Sequence, residues 1–590
     1  MARSVTWKGR VLFLALLMSV TMVLAVGAGM AQQGGGTISG SVTDSQGAAI
    51  SGASVQVKNV GTNSTFSAVT NASGFYTAPG MALGEYEVEV QFEGFKRSVR
   101  SGITLQVNQT ARIDVVLEIG EVVETIEVVG EAPLVQTDTS TLGEVIERKR
   151  VSDLPINGRS ALALTLLTSG VISNAGPTNS GFGDQGIQLS SLSINGNPNS
   201  MNAQMLDGNN NILSYVGEVG VPPAVDAVEE FKVQSGTMSS EFGYTAGGAI
   251  NLVTRSGTNQ IHGTAYEFLR NDKFDARNTF APSKLPLRYN QFGASVGGPF
   301  IKNRTFGFFN WEEYRLRRSQ PRIRSVPIPQ FLQGDFSQLR TASGAPVGLF
   351  DPSTTRPNPD GGGLVRDPYV NNQVPQSRFD PVVQNVLPWY PAPNRAASNT
   401  NTFSNNFQDA QARNVGWSQW NTKIDHRFSD SNSLFGRYSQ ARHRPSGNDV
   451  FTNPNVGRNR NDDQTNRNFV ISDTHTFSPT LINTLRVGFS RQLFTFITVG
   501  AEQGIAQQIG LPSSVPPEQV PDLNVRPYPR IGGGALGKRS SLNWDIQNLV
   551  TKISGNHTLK FGVNARDLYG GNRQGGALSG FYQFRNLTQN

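Results

Sequence analysis

The sequence contains no cysteine in 590 residues. That excludes a disulfide framework, a thiolate nucleophile and any zinc or iron–sulfur site built on Cys. Histidine is nearly as scarce. The five, His262, His426, His443, His475 and His557, stand far apart, and none has the close pairing that a hydrolytic metal site requires. Charge is sparse as well, with Asp, Glu, Lys and Arg together at 16%. Long apolar runs are missing after residue 28, where no stretch reaches the ~18–20 residues of a spanning helix. A bundle of membrane helices is therefore excluded. The one string close to a phosphate loop, Gly532 to Lys538, is followed by Arg539 where Ser or Thr should hold magnesium. No catalytic residue, cofactor or metal ligand is expected, and the chain does not read as an enzyme.

The net charge of +7 is divided unevenly. Residues 1–259 hold 14 Lys+Arg against 22 Asp+Glu, and residues 260–590 hold 37 against 22. Arginine in the second part is scattered singly among Asn, Ser and Thr rather than gathered in a patch, so a nucleic-acid partner is not expected. The 63 glycines and 33 phenylalanines suit a β-rich chain with many turns.

Arg3, Lys8 and Arg10 precede an apolar run from Val11 to Ala28, and Gly29-Met30-Ala31 offers small residues before Gln32. This reads as a secretory signal peptide over 1–31, cut between Ala31 and Gln32, with an uncleaved anchor as the alternative. Any later membrane insertion must use strands.

In residues 36–118 short β runs alternate with turns. Ile38 to Val42, Ala53 to Lys58 and Glu87 to Phe92 alternate, with Val55 and Val57 on one face and Val88, Val90 and Phe92 on another; Ile113, Val115 and Leu117 close the unit. That pattern predicts a β-sandwich. The order Gly40-Ser41-Val42-Thr43-Asp44, Gly52-Ala53-Ser54-Val55, Thr70 to Tyr76 and Gly84-Glu85-Tyr86 resembles the carboxypeptidase regulatory-like domain. The resemblance implies a transthyretin-like fold. By analogy of fold it also allows glycan binding, against a spacer or docking role.

Residues 119–135 form a linker. Within it Glu121 to Val129 is acidic and β-prone, and reads either as a last strand or connector, or as a segment that adds to a partner's sheet edge. Three strings follow in residues 136–259. Ser193-Ile194-Asn195-Gly196 leads to Gln204-Met205-Leu206-Asp207-Gly208, then Val228 to Val233, then Ala246-Gly247-Gly248-Ala249-Ile250-Asn251 to Gly257. Together they resemble the plug domain of TonB-dependent outer-membrane receptors of the Oar-like type. The motif positions carried over are Asn195, Gly196, Leu206, Asp207, Gly208, Gly247, Gly248 and Asn251. The resemblance also implies a periplasmic TonB-type partner, met by a box ahead of the plug for which Thr125, Ile126, Glu127, Val128 and Val129 are the candidates.

From residue 260 the pattern is strongly two-faced. Trp420, Thr422, Ile424 and Phe428 alternate with Asn421, Lys423, Asp425 and Arg427. Leu485, Val487 and Phe489 alternate with Thr484, Arg486, Gly488 and Ser490, and Leu559, Phe561 and Val563 with Lys560, Gly562 and Asn564. A soluble sandwich has the same period, whereas an outer-membrane barrel puts the apolar face on lipid and the polar one inside. Tight returns are expected at 476–480 and 554–556, and long loops at 318–416, 448–468 and 500–540. Trp311, Trp389, Trp417, Trp420 and Trp544 are expected in an interface belt or in loops. Arg255 to Asn259, Phe268 to Asp272 and Ser295 to Pro299 resemble the first barrel strands of the same receptors.

The expected fold is mainly β: an N-terminal sandwich, a small α+β plug, and the first part of a large antiparallel barrel over 260–590. About ten strands are counted there, while plugged transporter barrels use about 22, so the chain reads as a truncated barrel. The final residues 586–590 also lack the terminal aromatic of the family's last strand. The resemblance implies the outer membrane of a Gram-negative bacterium, a periplasmic N-terminal domain, extracellular loops and energised uptake of a solute, which could be a glycan. The alternative is an outer-membrane adhesion or assembly protein on the same fold.

Overall fold

The computed structural model describes residues 35–120, 125–129, 142–173 and 192–584, apart from positions 155, 214–216, 237, 239, 244, 278, 280–282, 320–321, 410–411, 447–450, 452, 454, 458, 534, 556 and 577. The Ala31–Gln32 cleavage, residues 121–124 and the final residues 586–590 lie outside the described residues.

The first unit is a sandwich of two sheets. One holds β1 (Gly36–Asp44), β4 (Phe75–Met81), β7 (Thr110–Arg112) and β8 (Val115–Leu117). The other runs β3 (Thr65–Val69), β2 (Ser54–Asn59), β5 (Gly84–Gln91), β6 (Arg97–Leu105), β9 (Thr125–Val129). Strict alternation in β2 buries Val55 and Val57 while Ser54, Gln56 and Lys58 stay exposed. The two inner faces close on Ile38, Val42, Tyr76, Tyr86, Val88, Val90, Ile103 and Leu105. Each large apolar side chain so buried contributes roughly 1.5–3 kcal/mol before entropy is counted. The buried tyrosines satisfy their hydroxyls: Tyr76 donates to the Ile113 carbonyl at 2.7 Å and Tyr86 to that of Ala82 at 2.7 Å.

The middle unit is a mixed sheet with short helices against it. Its order is β10 (Leu142–Glu147), β13 (Val228–Gly236), β14 (Ala249–Thr254), β11 (Ala203–Leu206), β12 (Asn209–Asn210). Every residue of β14 is buried, because one face packs on a core of Ile146, Leu162, Leu192, Ile194, Leu206, Phe231 and Leu252 and the other faces the third unit.

The third unit is one antiparallel sheet of nine long strands in chain order: β15 (His262–Asn271), β16 (Leu287–Ile301), β17 (Thr305–Ser319), β18 (Ala412–Ser429), β19 (Asn432–Ser446), β20 (Arg460–Ser478), β21 (Leu481–Thr498), β22 (Ala535–Ser554) and β23 (His557–Gly576). Nine stand where about ten are expected, because Phe581–Phe584 pairs with Asp522–Val525 of a loop and not with β23. Among the described residues tight returns sit at 302–304, 430–431 and 479–480, the last as expected, and Ser554 pairs with His557 across the other expected return. All short turns share one end of the sheet and all long loops the other. Two loops are shorter than expected. β20 already starts at Arg460 and β22 at Ala535, because the polar Asn and Arg that read as loop are inward positions of extended strands. A string Gly293-Ala294-Ser295-Val296-Gly297 formally matches a nucleophile elbow. It runs extended through β16, with Ser295 opposite Asn310, and has no strand-to-helix turn.

The burial of this sheet is inverted relative to a soluble protein. Thr484, Arg486, Ser490, Asn466, Asn468, Asn421 and Lys423 are buried, while Ile424, Phe428, Phe309 and Ile471 are exposed. The polar face is inside and the apolar face outside, as a barrel in lipid requires. On the outer face Phe292–Trp311, Trp420–Tyr438, Phe469–Phe489 and Phe489–Trp544 lie with ring centroids 5.0–6.0 Å apart, an aromatic belt along the wall. Trp417 is the exception to the belt. It points inward, buried, and stacks on Tyr314 at 6.1 Å, one residue out of phase with the outward Trp420.

Candidate functional site

The functional geometry lies where the middle unit meets the polar wall. β11 and β12 form a hairpin whose turn is Asp207-Gly208, with φ of 50° and 74°. Paired positive φ angles are what a two-residue Asp-Gly turn supplies. A Cβ on Gly208 would also run into the Arg486 guanidinium. The turn carries Asp207 to the wall, where two barrel cations meet it. Arg437 Nε of β19 lies 2.7 Å from Oδ2 and Lys423 Nζ of β18 lies 3.6 Å from Oδ1. From within the middle unit the Thr254 amide donates to Oδ1 at 2.9 Å and the Thr254 hydroxyl to Oδ2 at 2.8 Å. Burial pushes the Asp207 carboxyl up, but Lys423, Arg437 and the Thr254 hydrogen bonds outweigh it and hold the group below the usual carboxylate range.

The surrounding contacts extend this lock. Arg437 donates to the Leu206 carbonyl at 3.0 Å and to Asn468 Oδ1 at 2.7 Å. Asn468 donates to the Asn210 carbonyl at 3.0 Å, Asn209 to the Phe469 carbonyl at 3.1 Å, and Asn543 to the Ile212 carbonyl at 2.9 Å. Nearer β15, Arg159 pairs with Asp226 and places its Nε 3.9 Å from Glu312. Its guanidinium carbon lies 4.6 Å from the Tyr266 ring centroid and 4.4 Å from that of Phe268.

The sequence-singled residues divide into two groups. Leu206, Asp207 and Gly208 sit in or beside the lock. Asn195 and Gly196 make a left-handed turn behind it, with φ of 54° and 76°. Gly247 and Gly248 shape the interior of the unit: a Cβ on Gly248 would lie 2.7 Å from the Gln234 carbonyl oxygen and 2.7 Å from the Ile194 side chain. Asn251 is buried in β14. Thr125 to Val129 form β9, well away from these, on the edge of the sandwich sheet. The barrel half of the lock, Lys423, Arg437, Asn468 and Arg486, is missed by motif reading; alternation with apolar residues marked Lys423 and Arg486 as polar-face positions, whereas Asn468 was expected in the loop 448–468 and Arg437 was not singled out.

The sandwich is fastened at the short-turn end. Asn63 donates to Asn303 Oδ1 at 3.1 Å, Asn71 to the Gly555 carbonyl at 3.2 Å, and Arg427 to that of Thr65 at 3.3 Å. Its 106–109 turn docks on the middle sheet. The Val107 amide donates to Glu230, and Lys232 Nζ donates to the Asn108 carbonyl at 3.0 Å. Burial pushes the Glu230 carboxyl up to about 8, against the Val107 hydrogen bond and with help from Glu229 and Glu147. A carboxyl raised in the docked state favours docking when protonated. The contact is therefore expected to be tightest below about pH 4.5, to weaken as pH rises, and to level off above about 8. Protection at the Val107 amide, taken relative to the intrinsic exchange rate at each pH, should fall across that window, and Glu230→Gln should flatten the profile. A profile unchanged in Glu230→Gln would show that another group is responsible.

A sheet that is polar inside and apolar outside, holding a small sheet against its inner wall, defines an outer-membrane β-barrel. Residues 253–590, more than half of the chain, match the outer membrane beta barrel domain family, and the chain belongs to it; the outer membrane is its place. Residues 37–118 match the carboxypeptidase regulatory-like domain. Among curated proteins the chain is similar to the TonB-dependent transporter Oar of Myxococcus xanthus, 28% identical over 251 residues. That match takes in 41% of this chain and 23% of Oar, so the chain spans under a quarter of the relative's length. Among solved structures it is similar to the outer membrane transporter YddB from Escherichia coli, with a TM-score of 0.43, 10% identity, and coverage of 72% of this chain and 48% of that one. It is also similar to the Fiu ferric-catecholate import receptor from E. coli K12, at 0.36 and 12%, covering 76% and 63%.

Proposed function

We propose that this chain works in TonB-dependent uptake: the middle unit is the plug of a receptor whose long loops take a solute from outside and whose plug is displaced by a periplasmic energy-transducing partner. The observation that carries this reading is the lock at Asp207. A unit meant to stay permanently would be joined by an apolar core. This one is joined chiefly by an ion network and amide hydrogen bonds, each replaceable by water, with only small apolar contacts beside them, Val221 against Tyr314 and Trp417 and Ala224 and Ala227 against Phe308. The relative Oar is named as a TonB-dependent transporter, and the acidic β-prone strand Thr125–Val129 stands ahead of the plug, where a box for the partner is expected.

Deleting Thr125–Val129 tests it against adhesion on the same fold. Uptake in a strain dependent on the protein is expected to stop, with the amount in the outer membrane unchanged. Uptake that persists at the wild-type rate would reject the reading, and unchanged surface adhesion alongside it would favour the alternative.

A further inference from the structure

Resting on that reading, we infer that the energy-transducing partner adds as a further strand to the sandwich's own sheet, so that the sandwich is gripped together with the box. β9 lies parallel to β6, with Arg97 opposite Thr125, Val99 opposite Glu127 and Ser101 opposite Val129. β6 is covered on its other side by β5, and β9 ends the sheet among the described residues. Half of β9's backbone N–H and C=O groups therefore turn toward β6 and half away from it. The outward half is an open edge of the kind extended partners use. The partner needs one edge, and one is free while β9 stays paired.

β9 itself carries one charge, Glu127, and β6 beside it carries Arg97 and Arg100, so the open backbone edge, and not charge, receives the partner. The mechanical consequence follows from the other contacts of the sandwich. Its 106–109 turn holds the plug through Glu230 and Lys232, so a pull on the enlarged sheet reaches the plug without passing along residues 130–141.

The absence of cysteine makes a clean test possible. Strands pair about 4.7–4.9 Å apart, within the Cα separation a disulfide spans, so Val99→Cys with Glu127→Cys locks β9 onto β6. The whole chain in detergent is titrated with the isolated periplasmic domain of a TonB-type protein. The oxidised and reduced forms are expected to bind it with the same affinity. Binding lost on oxidation and restored by dithiothreitol would overturn the proposal, because β9 would have to leave the sheet; the transport reading would survive. Absence of binding by the wild-type chain, with uptake unaffected by deletion of Thr125–Val129, would overturn both. A second pair, Ser101→Cys with Val129→Cys, serves if the first does not fold.

Discussion

Replacing Asp207 by alanine is expected to unseat the plug. The substitution leaves Arg437 buried without a counter-charge, leaves Lys423 with Asp425 alone, and leaves the Thr254 hydroxyl and amide without their acceptor. Breaking one side of a buried pair costs about 3–5 kcal/mol, or roughly two to three and a half decades in the docking equilibrium. In detergent, hydrogen exchange across Ala203–Leu206 and Asn209–Asn210 should quicken in Asp207→Ala relative to the wild type. Adding Arg437→Met and Lys423→Met should recover part of the protection, because an apolar replacement of a whole buried pair is far less costly than half of one. Wild-type protection in Asp207→Ala without this compensation would place the lock elsewhere. The sign of the pH effect follows too. A carboxyl held below its usual range stabilises at higher pH and loses that stabilisation only as acid titrates it, so the lock is intact where the Glu230 contact is already weakened.

The second large effect belongs inside the plug. Phe231 is fully buried, opposite Ile146 in β10 and Leu252 in β14. Phe231→Ala is expected to cost about 3–5 kcal/mol, the transfer of the ring plus the cavity it leaves. A small unit has little stability to lose. Amide exchange across Val228–Gly236 should rise toward that of an unfolded segment, while Ser54–Asn59 of the sandwich stays protected. Unchanged exchange in β13 would mean that the barrel wall, and not the core, holds the plug folded.

Much of this was legible in the sequence. The β2 alternation at Val55 and Val57 placed the sandwich core, and period two in β21 separated Arg486 and Ser490 from Val487 and Phe489. What period two could not say is which face is buried, since it is equal for a soluble sheet and a membrane one; only the burial of Arg486 beside half-exposed Val487 settles it. Asp207 was legible as a position of the plug motif, but its partners Lys423 and Arg437 lie more than 200 residues away, and pairing at that range is set by the fold. Trp417 went wrong for a smaller reason: its residue type suggested the belt, whereas its parity with Gln419 and Asn421 places it inside. The pairing of β9 with β6 was open in the sequence, because a β-prone acidic strand suits a sheet edge and a partner equally.

The polar inner wall has a thermal consequence. Exposing apolar surface raises heat capacity, by about 0.45 cal/mol/K per Å², and exposing polar surface lowers it, by about 0.26. Opening a seam made of Asp207, Arg437, Asn209 and Asn468 exposes mostly the second kind. Only the small contacts of Val221, Ala224 and Ala227 with the wall expose the first kind, so the free energy of freeing the plug should curve less with temperature than the dome that core unfolding of the sandwich will show. A gate of this construction opens against much the same load in the cold as in the warm.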